Sequence, residues 1–205
     1  MKPELYGLVL AGGKSRRMGQ DKSSLQYHGQ TQRGHVYDLL QKFCAQVWIS
    51  ARPAQIATWQ ETRPCLPDAF TGLGPMAALL TAFAHKPEAA WLIAACDMPQ
   101  LGEDALSALV GARLPQKIAT YFVNPEDLLP EPLLAIWEPA AQSRLQEACQ
   151  AGQYSLRQCL VLAGPEARAI VPVQGDFLEN INDPQAWQRY WQKKTNQTDN
   201  YPEPF

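Results

Sequence analysis

The densest chemistry in the chain lies at residues 12–22, GGKSRRMGQDK, where two adjacent glycines meet a hydroxyl and four cationic side chains (Lys14, Arg16, Arg17 and Lys22). Phosphates require closely spaced N–H donors, fixed cations and little side-chain bulk, and glycines let a polyanion lie against the backbone. A second reactive position is Asp97, which follows the apolar run Trp91–Cys96 and precedes Met98-Pro99. A carboxylate at the tip of a buried strand faces the crevice where open α/β sheets bind ligands, and Mg²⁺ favours one or two carboxylates together with phosphate oxygens. The two stretches together point to a nucleoside triphosphate with a divalent cation. Pro67-Asp68 reads as a turn opener, which is the competing structural reading of Asp68.

Gly13-Lys14-Ser15 ends like the phosphate loop G-x-x-x-x-G-K-[ST], and Asp97 would suit the metal-holding acid of that class. The first glycine of the motif would fall at position 8, which is Leu8, and Gly7 comes one residue too early. The spacing excludes that loop.

These residues need strands that end beside one another. Leu5–Ala11 is apolar without alternation and reads as a buried parallel strand, as do Val47–Ser50 and Trp91–Cys96. Val36, Leu39, Leu40 and Phe43 have helical spacing, giving a helix over 34–45. Pro75 opens another that carries Met76, Leu79, Leu80 and Phe83. Further along, the pattern predicts a weak helix near 55–60, helices over 103–112, 139–150 and 155–162 (capped by Ser155), and strands at 118–123, 133–137 and 169–173. The turn 180–184 leads into a last helix with Trp187 and Trp191. Residues 193–205 lack apolar periodicity and are expected to form a disordered tail. Strand–helix alternation throughout predicts a three-layer α/β/α, Rossmann-like, mostly parallel sheet.

The bulk properties narrow the classes. The 205 residues suit one α/β domain, and a formal charge of −2 argues against a nucleic-acid surface. The five cysteines form no C-x-x-C pair, so neither a disulfide framework nor a zinc site is suggested. The N-terminus has no signal-peptide pattern and no run reaches membrane-helix length, which predicts a cytoplasmic protein with no membrane partner. His28, His35 and His85 show no ligand spacing.

Residues 10–22, LAGGKSRRMGQDK, resemble the L-A-G-G-x-S-x-R-M-G-x-D-K signature of nucleotidyltransferases acting on the molybdenum cofactor, the guanylyltransferase family. Asp68 with Gly72-Leu73-Gly74-Pro75 is similar to that family's D…G-x-G-P loop. Cys96-Asp97-Met98-Pro99 is similar to its C-D-x-P, and Asn180-Ile181-Asn182-Asp183-Pro184 to its N-x-N-T-P. Pro132–Ile136 resembles its H-P-x-x-A-L strand, with Glu131 where His is usual. The resemblance spans about residues 5–190.

The resemblance implies a nucleotide-diphospho-sugar transferase fold, with a single nucleotidyltransferase domain over 1–192. It implies that Leu10, Ala11 and Gly12 meet base and ribose through the backbone, and that Gly13, Arg17 and Lys22 meet the triphosphate. Asp68 would reach guanine or ribose, and Asp97 would hold Mg²⁺. Ser50 would face the nucleotide, while Gly74, Asn180 and Asn182 would lie toward the pterin. Arg17, Lys22 and Asp97 would be the catalytic residues. The implied partners are GTP, molybdopterin or its molybdenum form, other proteins of the cofactor pathway and recipient molybdoenzymes. Two departures stand out: Ser50 sits where the guanylyltransferases often carry Asn, and polar Thr31-Gln32 replaces a Pro-Leu-like pair. Asn180 and Asn182 also read as caps of the last helix. A cytidylyltransferase using CTP and a non-catalytic pterin carrier are the competing readings.

Overall fold

The computed structural model describes residues 2–13, 21–173, 175–181 and 184–194. Seven strands form one sheet: β1 (Leu5–Leu10), β2 (Val47–Ala51), β3 (Cys65–Pro67), β4 (Ala90–Ala95), β5 (Ala119–Val123), β6 (Pro130–Trp137) and β7 (Arg168–Ile170), in the order β3-β2-β1-β4-β6-β5-β7. All neighbours are parallel except β6, which runs antiparallel to both β4 and β5. The sheet is therefore mostly parallel, as the alternation predicts. The helices are α1 (Gln32–Gln41), α2 (Pro53–Ile56), α3 (Pro75–His85), α4 (Glu103–Gly111), α5 (Ala141–Gln150), α6 (Leu156–Ala163) and α7 (Pro184–Lys194).

Successive apolar residues of the central strands feed two opposite cores, because side chains alternate across a sheet. Val9, Ile49, Leu92 and Leu134 pack under α1 and α4, whereas Leu8, Trp48, Ile93 and Ala135 pack under α3, α5 and α6. Both faces are covered, which is why these strands read as apolar runs rather than as alternating ones. Gly7, excluded above from a phosphate loop, has a packing role. A Cβ there would stand 2.9 Å from Val47 Cγ2 and 3.3 Å from Cys44 Sγ, so the end of α1 needs the space.

Several elements differ from the sequence expectation. β3 follows Pro64 and ends on Pro67, in a stretch the sequence pattern leaves irregular; as a three-residue edge strand paired only with β2, it tolerates a proline. β6 begins at Pro130 rather than at 133, because a bulge between Tyr121 and Phe122 lets Glu131 and Pro130 pair with Phe122 and Val123. α1 starts two residues before the expected position. Thr31, one of the polar replacements, caps it by accepting a hydrogen bond from the Gly34 amide at 3.3 Å. The short helix near 55–60 sits instead at 53–56, where Pro53 supplies the first turn. Ser155 caps α6 through the Gln158 amide as predicted. α7 continues to Lys194, two residues into the stretch expected to be disordered, and 195–205 lie outside the described residues.

Candidate active site

Register brings the site together. Leu10 pairs with Ser50 on one side and with Ala95 on the other, so three strands end in one row. The ladder runs one step further: the Ala11 amide donates to Ser50 O at 2.9 Å, and the Cys96 amide to Leu10 O at 3.3 Å. β3 joins that row because Ala51 pairs with Pro67 and the Asp68 amide donates to Ala51 O. Gly12-Gly13, Asp68 and Asp97 thus leave neighbouring strand tips in the same direction.

Between them opens a cavity of about 950 Å³, at the upper end of the roughly 300–1,000 Å³ of small-molecule sites. Leu10, Ala11, Gly12, Gly13, Lys22, Ser50, Asp68, Gly74 and Asp97 all line it. Asn180 does not line it; it adjoins the site through the chain, since the Ile181 amide donates to Asp97 O at 2.8 Å. Arg17 and Asn182 lie outside the described residues.

On the β2–β3 side, Ser50 Oγ donates to Asp68 Oδ1 at 2.5 Å. Burial pushes the Asp68 carboxyl up, while the Ser50 hydrogen bond and the Arg52 charge pull it back. Ser50 is thereby committed to Asp68. A Cβ at Gly12 would stand 3.4 Å from Ala51 Cα and 3.5 Å from Asp68 Oδ2, so the glycine loop passes close over this pair.

Sequence reasoning assigned no role to Asp21 or Arg52, and both shape the loop. Asp21 Oδ1 accepts from the Ser23 amide and hydroxyl, and Oδ2 accepts from Gln55 Nε2 (3.0 Å) and Trp59 Nε1 (2.9 Å). Four donors saturate this carboxylate, which makes it an anchor rather than a metal ligand. It caps the 3₁₀ turn Lys22–Ser24 and so places Lys22 at the cavity wall. Gln55 also donates to Ala11 O, and Arg52 Nη2 to Gly13 O at 3.0 Å, pinning the loop's entry. Behind it, Arg33 lies 4.4 Å over the Trp59 ring, pairs with Glu61 at 2.9 Å and donates to Ser24 Oγ. The D-K pair of the motif was the available signal for Asp21; Arg52 and Gln55 carry no pattern.

On the other wall, Gly74 is the N-cap of α3 at φ +58°, a left-handed conformation that favours glycine. No side chain among the described residues caps the helix; Pro75 at its first position has no N–H and the Ala77 amide donates to Gly74 O, so α3 brings its dipole rather than a row of free amides to the cavity.

Asp97 follows the β4 tip. Its Oδ1 is buried with no hydrogen-bond partner among the described residues. Burial raises its carboxyl above the usual range, and Lys22 opposes that rise. An orphaned carboxylate oxygen beside a cation suits a hard divalent ion. Among the described residues no group of three or more His, Cys, Asp or Glu converges, so any such ion would take its remaining ligands from substrate or water. Among the same residues no helix is long and apolar enough to cross a membrane.

An open sheet with glycine-loop amides, a lysine and a strand-tip aspartate around one cavity defines a nucleotide-diphospho-sugar transferase fold. The sequence profile of the MobA-like NTP transferase domain matches residues 7–168, and the chain belongs to that family of nucleotidyltransferases. It is 38% identical over 185 residues to a molybdenum cofactor biosynthesis bifunctional protein of Synechocystis sp. PCC 6803, covering 88% of this chain but only 52% of that one. The chain thus spans about half the length of that relative. It is 26% identical to the molybdenum cofactor guanylyltransferase of Shewanella loihica, over 92% of this chain and 96% of that one. The fold matches the crystal structure of molybdopterin-guanine dinucleotide biosynthesis protein A from Archaeoglobus fulgidus at a TM-score of 0.72 and 22% identity, over 93% and 98% of the two chains.

Proposed function

We propose that this chain transfers GMP from GTP to the phosphate of molybdopterin or its molybdenum form, in a cytoplasmic setting, with Mg²⁺ as cofactor. The observation that carries the reading is the convergence on one cavity of Gly12-Gly13, Asp68 and Asp97 from separate strand tips and of Lys22 from its 3₁₀ turn. The named relatives in molybdenum cofactor biosynthesis support the choice of acceptor.

In this reading the acceptor's phosphate oxygen attacks the α-phosphorus of GTP. The bond from α-phosphorus to the bridging oxygen breaks, and pyrophosphate leaves. The nucleophile is already anionic, so no protein base is needed and catalysis rests on positioning and charge stabilisation. Lys22, with Arg17, offsets charge developing on the leaving pyrophosphate. Mg²⁺, held by Asp97, would neutralise the phosphate oxygens. Leu10, Ala11 and Gly12 lie along base and ribose through their backbone, and Gly13 meets the phosphates.

Asp68, held by Ser50, accepts from the N1–H and 2-amino donors of guanine. Cytosine offers only its 4-amino donor on that edge, and this mismatch disfavours CTP. Gly74, at the N-terminus of α3, would meet the pterin substrate, a role proposed also for Asn180 and Asn182. A pterin carrier without chemistry would have no use for Lys22 and Asp97 together. The test is pyrophosphate release measured with GTP, Mg²⁺ and molybdopterin. Release that requires all three is expected, and binding of the pterin with no release under any nucleotide would refute the enzyme reading.

A further inference from the structure

The loop between β3 and α3 carries two large apolar side chains with opposite placements. Leu73 packs against the core under α3. Phe70 joins no hydrophobic cluster, makes no ring contact with any described residue and is 42% exposed. It lines the cavity, and among the described lining residues it is the one aromatic side chain. The backbone leading into it is fixed. The Asp68 amide donates to Ala51 O at 2.9 Å, and the Ala69 amide to Thr81 Oγ1 at 3.0 Å. Thr81 is itself buried on α3, where its hydroxyl donates to Ala77 O at 2.7 Å. An anchored chain thus holds an apolar ring at the cavity, still partly in water, without the stabilisation that burial in the core would bring.

Hydrogen bonds to the edge of a base leave both of its faces uncovered. Aromatic side chains cover such faces by offset stacking, which adds affinity for any base because every base has a π-face. On the same side of the cavity Pro53 and Ala54 carry no flat surface, and the Arg52 guanidinium is held by Gly13 O. We propose that Phe70 is the stacking platform for the base of the nucleotide, while Asp68, two residues before it and held by Ser50, reads the base's edge. The inference rests on the nucleotide reading above and adds to it a residue that grips the base by its face. A pterin is flat as well, but Phe70 adjoins the base-reading Asp68 rather than Gly74 or Asn180, the residues proposed for the pterin.

The probes are GTP and inorganic tripolyphosphate, which has the phosphates and no base, each titrated calorimetrically into the full chain with Mg²⁺. Phe70→Ala should weaken GTP binding about tenfold or more, the scale of losing one base–aromatic stack, and leave tripolyphosphate binding unchanged. Phe70→Tyr, which keeps a ring, should bind GTP as the wild type does. Cooperative melting of each variant checks that it folds. Unchanged GTP affinity in Phe70→Ala would overturn the proposal. So would an equal loss for both ligands, which would make the ring a support for the loop rather than a contact of the base. A wild type that binds no GTP would overturn this proposal together with the nucleotide reading, whereas the first two results strike Phe70 alone. No pterin enters these measurements, so failure to transfer GMP would leave their outcome intact.

Discussion

The two ends of the sheet treat buried charge in opposite ways. At the end away from the site, Glu138 follows the last residue of β6 and is fully buried. Arg113 meets it with two hydrogen bonds, Nε to Oε1 at 2.6 Å and Nη2 to Oε2 at 2.9 Å, and Nη2 also donates to Pro3 O. At the site end, Asp97 keeps a buried carboxylate oxygen with no hydrogen-bond partner among the described residues. Asp21 shows that the site end can saturate a carboxylate where only position matters. A satisfied buried carboxylate holds the fold, and an unsatisfied one is kept for something that arrives.

That contrast can be broken by substitution. Arg113→Ala strands Glu138 at the remote end and should cost about 3–5 kcal/mol in denaturant unfolding, with GTP affinity per folded molecule unchanged. Lys22→Ala should do the reverse, lowering turnover about 10²–10³-fold while the unfolding midpoint barely moves. A loss of stability comparable to that of Arg113→Ala would place Lys22 among the structural charges. Asp97→Asn should lose turnover on the same scale, about 10²–10³-fold, without loss of metal-free stability.

The pH dependence sharpens the same point. A carboxyl whose folded pKa is raised adds stability below its unfolded pKa, about 4, and that stability is lost as pH rises through the folded value. Burial raises Asp97, so the metal-free wild type should lose stability as pH climbs out of the ordinary carboxylate range, and Asp97→Asn should flatten that slope. A slope unchanged by the substitution would mean that Asp97 ionises without strain. The smallest effect is expected for Ser50→Ala, which removes one donor from Asp68 and should cost about 0.5–1.5 kcal/mol in the calorimetric affinity for GTP.

Much of this site could be read from the chain because its parts are local. Gly12-Gly13, Lys22 and Asp97 adjoin apolar runs whose lack of alternation marks buried parallel strands, and parallel strands end together. Asp68 was a weaker case, since Pro67-Asp68 also opens ordinary turns; only β3, which ends on Pro67, fixes it beside Ser50. Pairings that depend on register between distant segments left no trace. Arg113 and Glu138 are 25 residues apart without pattern.

The central claim is a guanine-specific transfer, and the most direct measurement is the mass of the product. The protein is incubated with molybdopterin, Mg²⁺ and an equimolar mixture of GTP and CTP. The account predicts the guanine dinucleotide with pyrophosphate, in excess over the cytosine product by a wide margin; a site that hydrogen-bonds a base can discriminate by about 10⁴–10⁵. A predominant cytosine dinucleotide would contradict it.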